Sequence, residues 1–228
     1  LVLVCEARRV SSNPDGIRCM VMRGGTSKGA YFVADELPAD PAERDELVLR
    51  IVGSPDPRQI DGIGGANPLT TKVAVIAPGD GGRADVDYLF LQPSVTEPVV
   101  SLTQNCGNLL AGVAQFAIER GLLTVAPTAA EARVRILMVN TDSVATATFP
   151  VAAGRPVYSG ATAISGVPGT AARVRLDFEQ IAGSTCGALL PTGNPVDEID
   201  GVPVTLVDNG MPVIVLAAAA VGLTGYES

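Results

Sequence analysis

Apolar residues along this chain fall mostly in short runs: "IRCMVM", "KVAVIAP", "DVDYLFLQPSV", "ARVRILMVN", "VATATFPV", "ARVRLDF", "VPVTLVDN" and "MPVIVLA". Glycine, proline and aspartate break them at close intervals, as in "APGDGGRAD" and "SGVPGTAA", the punctuation expected between strands. Two stretches carry helical spacing instead. "PAERDELVLRIVG" opens with Pro41 and places Glu43 and Asp45 in its early turns, as a helix start should. In "NLLAGVAQFAIERG", Leu109, Leu110, Val113, Phe116 and Ala117 recur as one buried stripe, and Arg120 followed by Gly121 closes the pattern. Many strands, few helices and no regular βα alternation predict an α+β fold, with helices packed against curled or antiparallel sheet.

The approach to the second helix brings in chemistry. Asn105 is the predicted N-cap, because its side-chain oxygen can accept an orphan amide of the first turn. Cys106 then lies at the cap or in that turn, where the positive end of the helix dipole favours a thiolate. Gly107 leaves room for a ligand to approach the backbone amides, which form a ready anion site. The alternative reading of Cys106 is a buried small hydrophobe, as most free cysteines are.

Composition narrows the picture. The chain has 228 residues, 47% of them hydrophobic and 18% charged, as expected of a folded globule. No apolar run is long enough to span a bilayer, so no membrane is expected as a partner. "VIVLAAAAVGL" is too short for that and reads as a buried strand running into an alanine-rich piece. A net charge of −8 disfavours nucleic acid, whose phosphates need a basic face, but not a small anionic substrate. Cys5, Cys19, Cys106 and Cys186 are scattered with no C-x-x-C pair, so no metal framework or disulfide scaffold is predicted. "LVLVC" lacks the charged and long apolar regions of a signal segment, which makes the cytoplasm the expected compartment. The chain contains no histidine. Any acid–base chemistry must therefore come from lysine, cysteine, carboxylates or tyrosine.

Two glycine-rich stretches stand out. In "MRGGTSKGAYF", Arg23, Thr26, Ser27, Lys28 and the local amides can cradle an anion, although the P-loop spacing is absent. "DGIGGANPLTTKVAVI" is not a dinucleotide fingerprint, because its glycines lead into a strand rather than follow one. Each stretch alone also reads as a tight turn. Lys72 starts the strand of the second stretch, and its amine either snorkels outward or is desolvated and usable as a base. A short echo pairs "NCGNLL" at 105–110 with "TCGALL" at 185–190 and hints at a second lobe beginning near Ser184.

Taken together, "MRGGTSKGAYF", "GSPDPRQIDGIGGANPLTTKVAVI", "DVDYLF", "QNCGNLLAGVAQFAIERGL", "CGALLPTGNP" and "VTLVDNGMPV" resemble the PrpF family of proton-shifting isomerases. The resemblance implies a diaminopimelate-epimerase-like α+β fold of two similar lobes, each a sheet rolled around a central helix. It implies an N-terminal extension at 1–16, a first lobe at 17–183 and an incomplete start of a second at 184–228, since family members continue beyond this point. It further implies cofactor-independent chemistry on a small polycarboxylate, by a 1,3-proton shift. Within the family the implied substrate is 4-oxalomesaconate, of gallate and protocatechuate breakdown. The alternatives are 2-methylaconitate or a polycarboxylate-binding remnant without activity. By the family motifs Lys72 and Cys106 are the acid–base pair. Arg23, Gly24, Gly25, Thr26, Ser27, Lys28, Asn105, Gly107, Asn108, Gly193 and Asn194 would hold substrate. The sequence leaves open whether the chain is a homo-oligomer.

Overall fold

The computed structural model describes residues 16–179 and 181–227, so nearly all of the expected N-terminal extension lies outside the described residues. The chain divides into two compact units, the first ending at Asp177 and the second starting at Phe178. The strands of the first unit are β1 (Met20–Gly24), β2 (Ser27–Val33), β3 (Lys72–Pro78), β4 (Val86–Pro93), β5 (Val100–Ser101), β6 (Glu131–Met138), β7 (Ser143–Ala152) and β8 (Arg155–Pro156). β9 (Arg175–Phe178) runs to the boundary, and the helices are α1 (Pro41–Val52) and α2 (Gly107–Glu119). The second unit holds β10 (Asp197–Ile199), β11 (Val202–Asp208) and β12 (Pro212–Leu216).

The nine strands of the first sheet run in the order β1-β2-β3-β4-β6-β7-β8, with β5 on β4 and β9 on β7. β2–β3 and β4–β6 are parallel, and the other pairs with assigned registers are antiparallel. The sheet curls around α2. Met22, Tyr31, Ile76, Phe90, Ile136 and Phe149, from six different strands, share one core cluster with Leu109, Leu110, Val113 and Phe116 of the helix. A single buried stripe was the expectation for α2, yet Gly112, Ala114 and Gln115 are buried as well. A sheet that wraps a helix leaves it almost no solvent face, and only the small residues among its leucines make room for that.

α1 has the expected start: Asp40 Oδ1 accepts from Ala42 N and Glu43 N at 2.9 and 3.0 Å, with Pro41 behind the cap. It covers the opposite face of the sheet through Val48 and Val52, which pack with Ala30, Phe32, Val73, Val75 and Leu91. The two clusters show how alternation sorts the strands. On β3, Ala74 and Ile76 face α2 while Val73 and Val75 face α1.

In the second unit β11 pairs antiparallel with both β10 and β12. The expected buried strand at "VIVLA" is a strand but not a buried one. Val213, Ile214 and Val215 are 41, 59 and 54% exposed, and the alanine-rich piece is a 3-10 turn, Ala218–Val221. Of the two halves of the sequence echo, residues 107–119 form a helix, whereas 183–186 form a turn and 187–190 bends.

Candidate active site

The stretch read as a glycine-rich anion loop is a hairpin. Gly24 pairs with Ser27, leaving Gly25 and Thr26 as a two-residue turn, and Gly25 takes a left-handed φ of 53°. The hairpin tip lies on the first turn of α2. A Cβ on Gly24 would stand 2.1 Å from the backbone Asn108 O, so no side chain fits there, and at Gly25 the left-handed backbone and the Asn108 side chain 2.2 Å away both disfavour one. Asn108 Nδ2 donates to Thr26 Oγ1 at 3.0 Å and completes the contact.

Strand alternation then divides the predicted residues. Gly24 on β1 and Ser27, Gly29 and Tyr31 on β2 share the α2 face, as Tyr31 in the α2 core and the close approaches of Gly24 and Gly29 to Leu109 show. Arg23 and Lys28 pair with each other and alternate onto the other face of the hairpin. Arg23 Nη1 donates to Gly25 O at 2.7 Å, tying the turn. The structure therefore brings Gly24, Gly25, Thr26, Ser27, Gly107 and Asn108 together and sets the Arg23 and Lys28 positions apart from them.

Cys106, not Asn105, is the N-cap of α2. Its Sγ accepts from Leu109 N at 3.5 Å, its carbonyl accepts from Leu110 N at 3.0 Å, and the residue is 9% exposed. Asn105, one residue earlier, turns its amide nitrogen to Thr141 Oγ1 in the β6–β7 turn, which takes its side chain away from the cap. The same turn supplies Asn140, whose Oδ1 accepts from Phe90 N at 2.8 Å and whose Nδ2 donates to Phe90 O and Leu102 O at 2.9 Å each. Two buried tyrosines hold the first turn from below: Tyr88 Oη donates to Cys106 O at 3.3 Å and Tyr31 Oη to Leu109 O at 2.6 Å. Burial, and the thiol of Cys106 nearby, push both phenols well above their ordinary range, so they act as neutral donors.

Lys72 is the first residue of β3, on the same face as Ala74 and Ile76 and hence as α2. It is 9% exposed and does not snorkel outward. Nζ donates to Gln92 Oε1 at 2.5 Å and lies 5.1 Å from the centroid of the Phe90 ring. Phe90 belongs to the core cluster that contains Cys106. The segment before Lys72 is fixed by Gln59, 2% exposed, whose Oε1 accepts from Ala66 N at 2.7 Å and Thr71 Oγ1 at 2.6 Å. Buried amides satisfied in this way hold a loop rigidly.

Ser27 is 2% exposed and its Oγ has no hydrogen-bond partner among the described residues. Gly193 and Asn194 lie in the second unit, in the turn before β10, where Asn194 Nδ2 donates to Asp197 Oδ1 at 3.0 Å. Sequence reading missed Gln92, Phe90, Tyr88, Tyr31 and Asn140. A signal existed for Gln92: in "DYLFLQP" it shares the alternation of Tyr88 and Phe90, so a polar side chain stands on the core-facing row.

The chain is similar to known proteins. The chain is 58% identical to the (4E)-oxalomesaconate Delta-isomerase of Novosphingobium sp. (strain KA1) over 219 residues, covering 96% of this chain and 61% of that protein. It is 56% identical to the 4-oxalomesaconate tautomerase of Pseudomonas putida (strain KT2440) over 211 residues, covering 92% and 58%. The chain thus spans about three-fifths of the length of these curated relatives. The solved structure of a methylitaconate-delta-isomerase superposes with a TM-score of 0.80 at 44% identity, over 93% of this chain and 55% of that one. The expected α+β, diaminopimelate-epimerase-like fold is the one found. A family model described as PrpF protein matches residues 15–228. With that match running from before β1 to the last residue, the chain belongs to the PrpF family.

Proposed function

We propose that this chain forms part of a cofactor-independent isomerase that moves a double bond by a 1,3-proton shift in a small unsaturated polycarboxylate, 4-oxalomesaconate. The observation that supports the reading is that Lys72, at the head of β3, and Cys106, at the N-cap of α2, both adjoin the core enclosed by one curled sheet. One is a buried amine beside Phe90, the other a thiol at the start of the enclosed helix, and both adjoin a single core cluster. The choice of substrate rests on the activities for which the Novosphingobium and Pseudomonas putida relatives are named.

The chemistry needs one group to take a proton beside the conjugated acid and another to return it two carbons away. Lys72 and Cys106 supply the two groups in this reading. Charge that builds on the substrate as a dienolate needs donors already in place. Helix geometry points the first-turn amides of Gly107 and Asn108 out of the N-terminus, and the Cys106 thiol accepts from the later Leu109 amide instead. Thr26 and Asn108, already bonded to each other, form the rim that would meet a substrate carboxylate.

The test uses Cys106→Ser and Lys72→Met in the intact protein, with Cys19→Ser as the comparison. Turnover is followed by ultraviolet absorbance and proton exchange by deuterium from solvent. Each of the first two should lower kcat by about 10²–10⁴-fold, the usual worth of a positioned acid or base, with little change in KM. Near-normal turnover with normal deuterium uptake in either variant would remove that residue from the mechanism.

A further inference from the structure

We propose that Gln92 is a positioning residue for Lys72, holding the lysine nitrogen over the Phe90 ring on the face of the sheet that encloses α2; this rests on the role given to Lys72 above. The register makes the pair. Val73 lies opposite Leu91 on β4, so Lys72 and Gln92 lie opposite each other one step further out. Side chains directly across an antiparallel pair are within reach of one another.

The orientation of the Gln92 amide is set by its surroundings. Its Nε2 is 2.9 Å from Thr71 O, 3.2 Å from Pro93 O and 3.4 Å from Pro68 O. All three are carbonyl oxygens, which only accept, so the nitrogen end must face them and the oxygen end must face Lys72. Oε1 then accepts from Nζ at 2.5 Å. Thr71, which receives one of these bonds, is itself held by Gln59, and Phe90 is held along its backbone by Asn140. The amine is thus clamped between an acceptor and a ring, each fixed from behind.

A lysine has four rotatable side-chain bonds, and a free one samples many positions. Proton transfer requires its nitrogen within hydrogen-bond reach of the reacting carbon or its proton. With one N–H committed to Gln92 and one side against Phe90, the remaining directions of Nζ are few. A displacement of about 1 Å at such a group is enough to cost on the order of 10²-fold in rate. Gln92 touches no reacting atom in this account. It acts through Lys72.

The experiment compares the parent with Gln92→Met, which keeps most of the volume and removes the acceptor. Gln92→Met should lower kcat by about 10–100-fold with KM within about threefold. In a Lys72→Met background the Gln92→Met change should cost almost nothing further, since the group it positions is gone. A readout free of activity is the rate at which a small amine-acylating reagent modifies Lys72, located by peptide mass spectrometry. That rate should rise severalfold in Gln92→Met. Unchanged kcat, unchanged Lys72 labelling, or a full additional loss in the Lys72→Met background would each overturn the proposal. Full turnover in Lys72→Met alone would instead overturn the role given to Lys72, while labelling still decides the contact.

Discussion

Gly112 tests whether the first turn of α2 is held as described. In an isolated helix, Gly→Ala stabilises by about 1 kcal/mol, because alanine loses less backbone freedom on folding. Here the added Cβ would stand 2.6 Å from Tyr31 Oη, 2.9 Å from Cζ and 3.2 Å from Cε1. Tyr31 is fully buried and packs on Phe116 with ring centroids 5.7 Å apart, so the ring has nowhere to retreat. Overpacking of this kind costs about 1–3 kcal/mol. Displacing the ring also strains its bond to Leu109 O, worth about 0.5–1.5 kcal/mol. Once the helix gain is subtracted, Gly112→Ala should destabilise by about 2 kcal/mol, a fall in Tm of roughly 4–8 °C for a chain of this size. Removing the phenol oxygen relieves the shortest contact, so Tyr31→Phe with Gly112→Ala should be less damaging than the two losses added, by about 1 kcal/mol. Thermal melts of the four proteins by far-ultraviolet circular dichroism measure this. A Gly112→Ala protein as stable as the parent, or more so, would refute the close approach of helix and ring.

The remaining predictions concern other parts of the same architecture. Gly24→Ala would push a methyl to 2.1 Å from the carbonyl oxygen of Asn108. It should destabilise by about 3 kcal/mol and lower turnover with it, read by urea denaturation beside a kinetic assay. Asp85, just before β4, is tied to β6 through Arg135, its Oδ1 accepting from Nη2 at 2.9 Å and its Oδ2 from the Arg135 amide at 2.7 Å. Partial burial alone would raise this carboxyl, but the Arg135 bonds and charge outweigh it and hold it below its ordinary 3.8. A lowered native value means the stabilisation is present above pH 3.8 and is lost as pH falls through the native value. The Tm difference between the parent and Asp85→Asn should therefore shrink below that pH, and a constant difference would count against it. The Cys106→Ser, Lys72→Met and Gln92→Met kinetics complete the set.

Local signals carried much of the secondary structure. α1 was legible from Pro41 and its early acidic residues, β3 from "KVAVIAP", and β6 and β7 from runs bounded by turn residues. Such features involve neighbours within a few residues, which is the range over which caps, turns and propensities act. Lys72 and Cys106 stood out for the same reason, one heading an apolar strand and the other a helix.

What only the tertiary structure decided concerns partners and faces. Asn105 was the expected cap, but the cap is Cys106, and Thr141, 36 residues later, engages the Asn105 amide instead. Arg23, Thr26, Ser27 and Lys28 read as one polar cluster. Only the register of the β1–β2 hairpin shows that Arg23 and Lys28 alternate away from the face that Ser27 shares with Gly24. Likewise Gln92 becomes the partner of Lys72 through the β3–β4 register and not through any spacing along the chain. Register and curl follow from burying the whole sheet's apolar face around α2 at once, a long-range requirement that no short stretch of sequence contains.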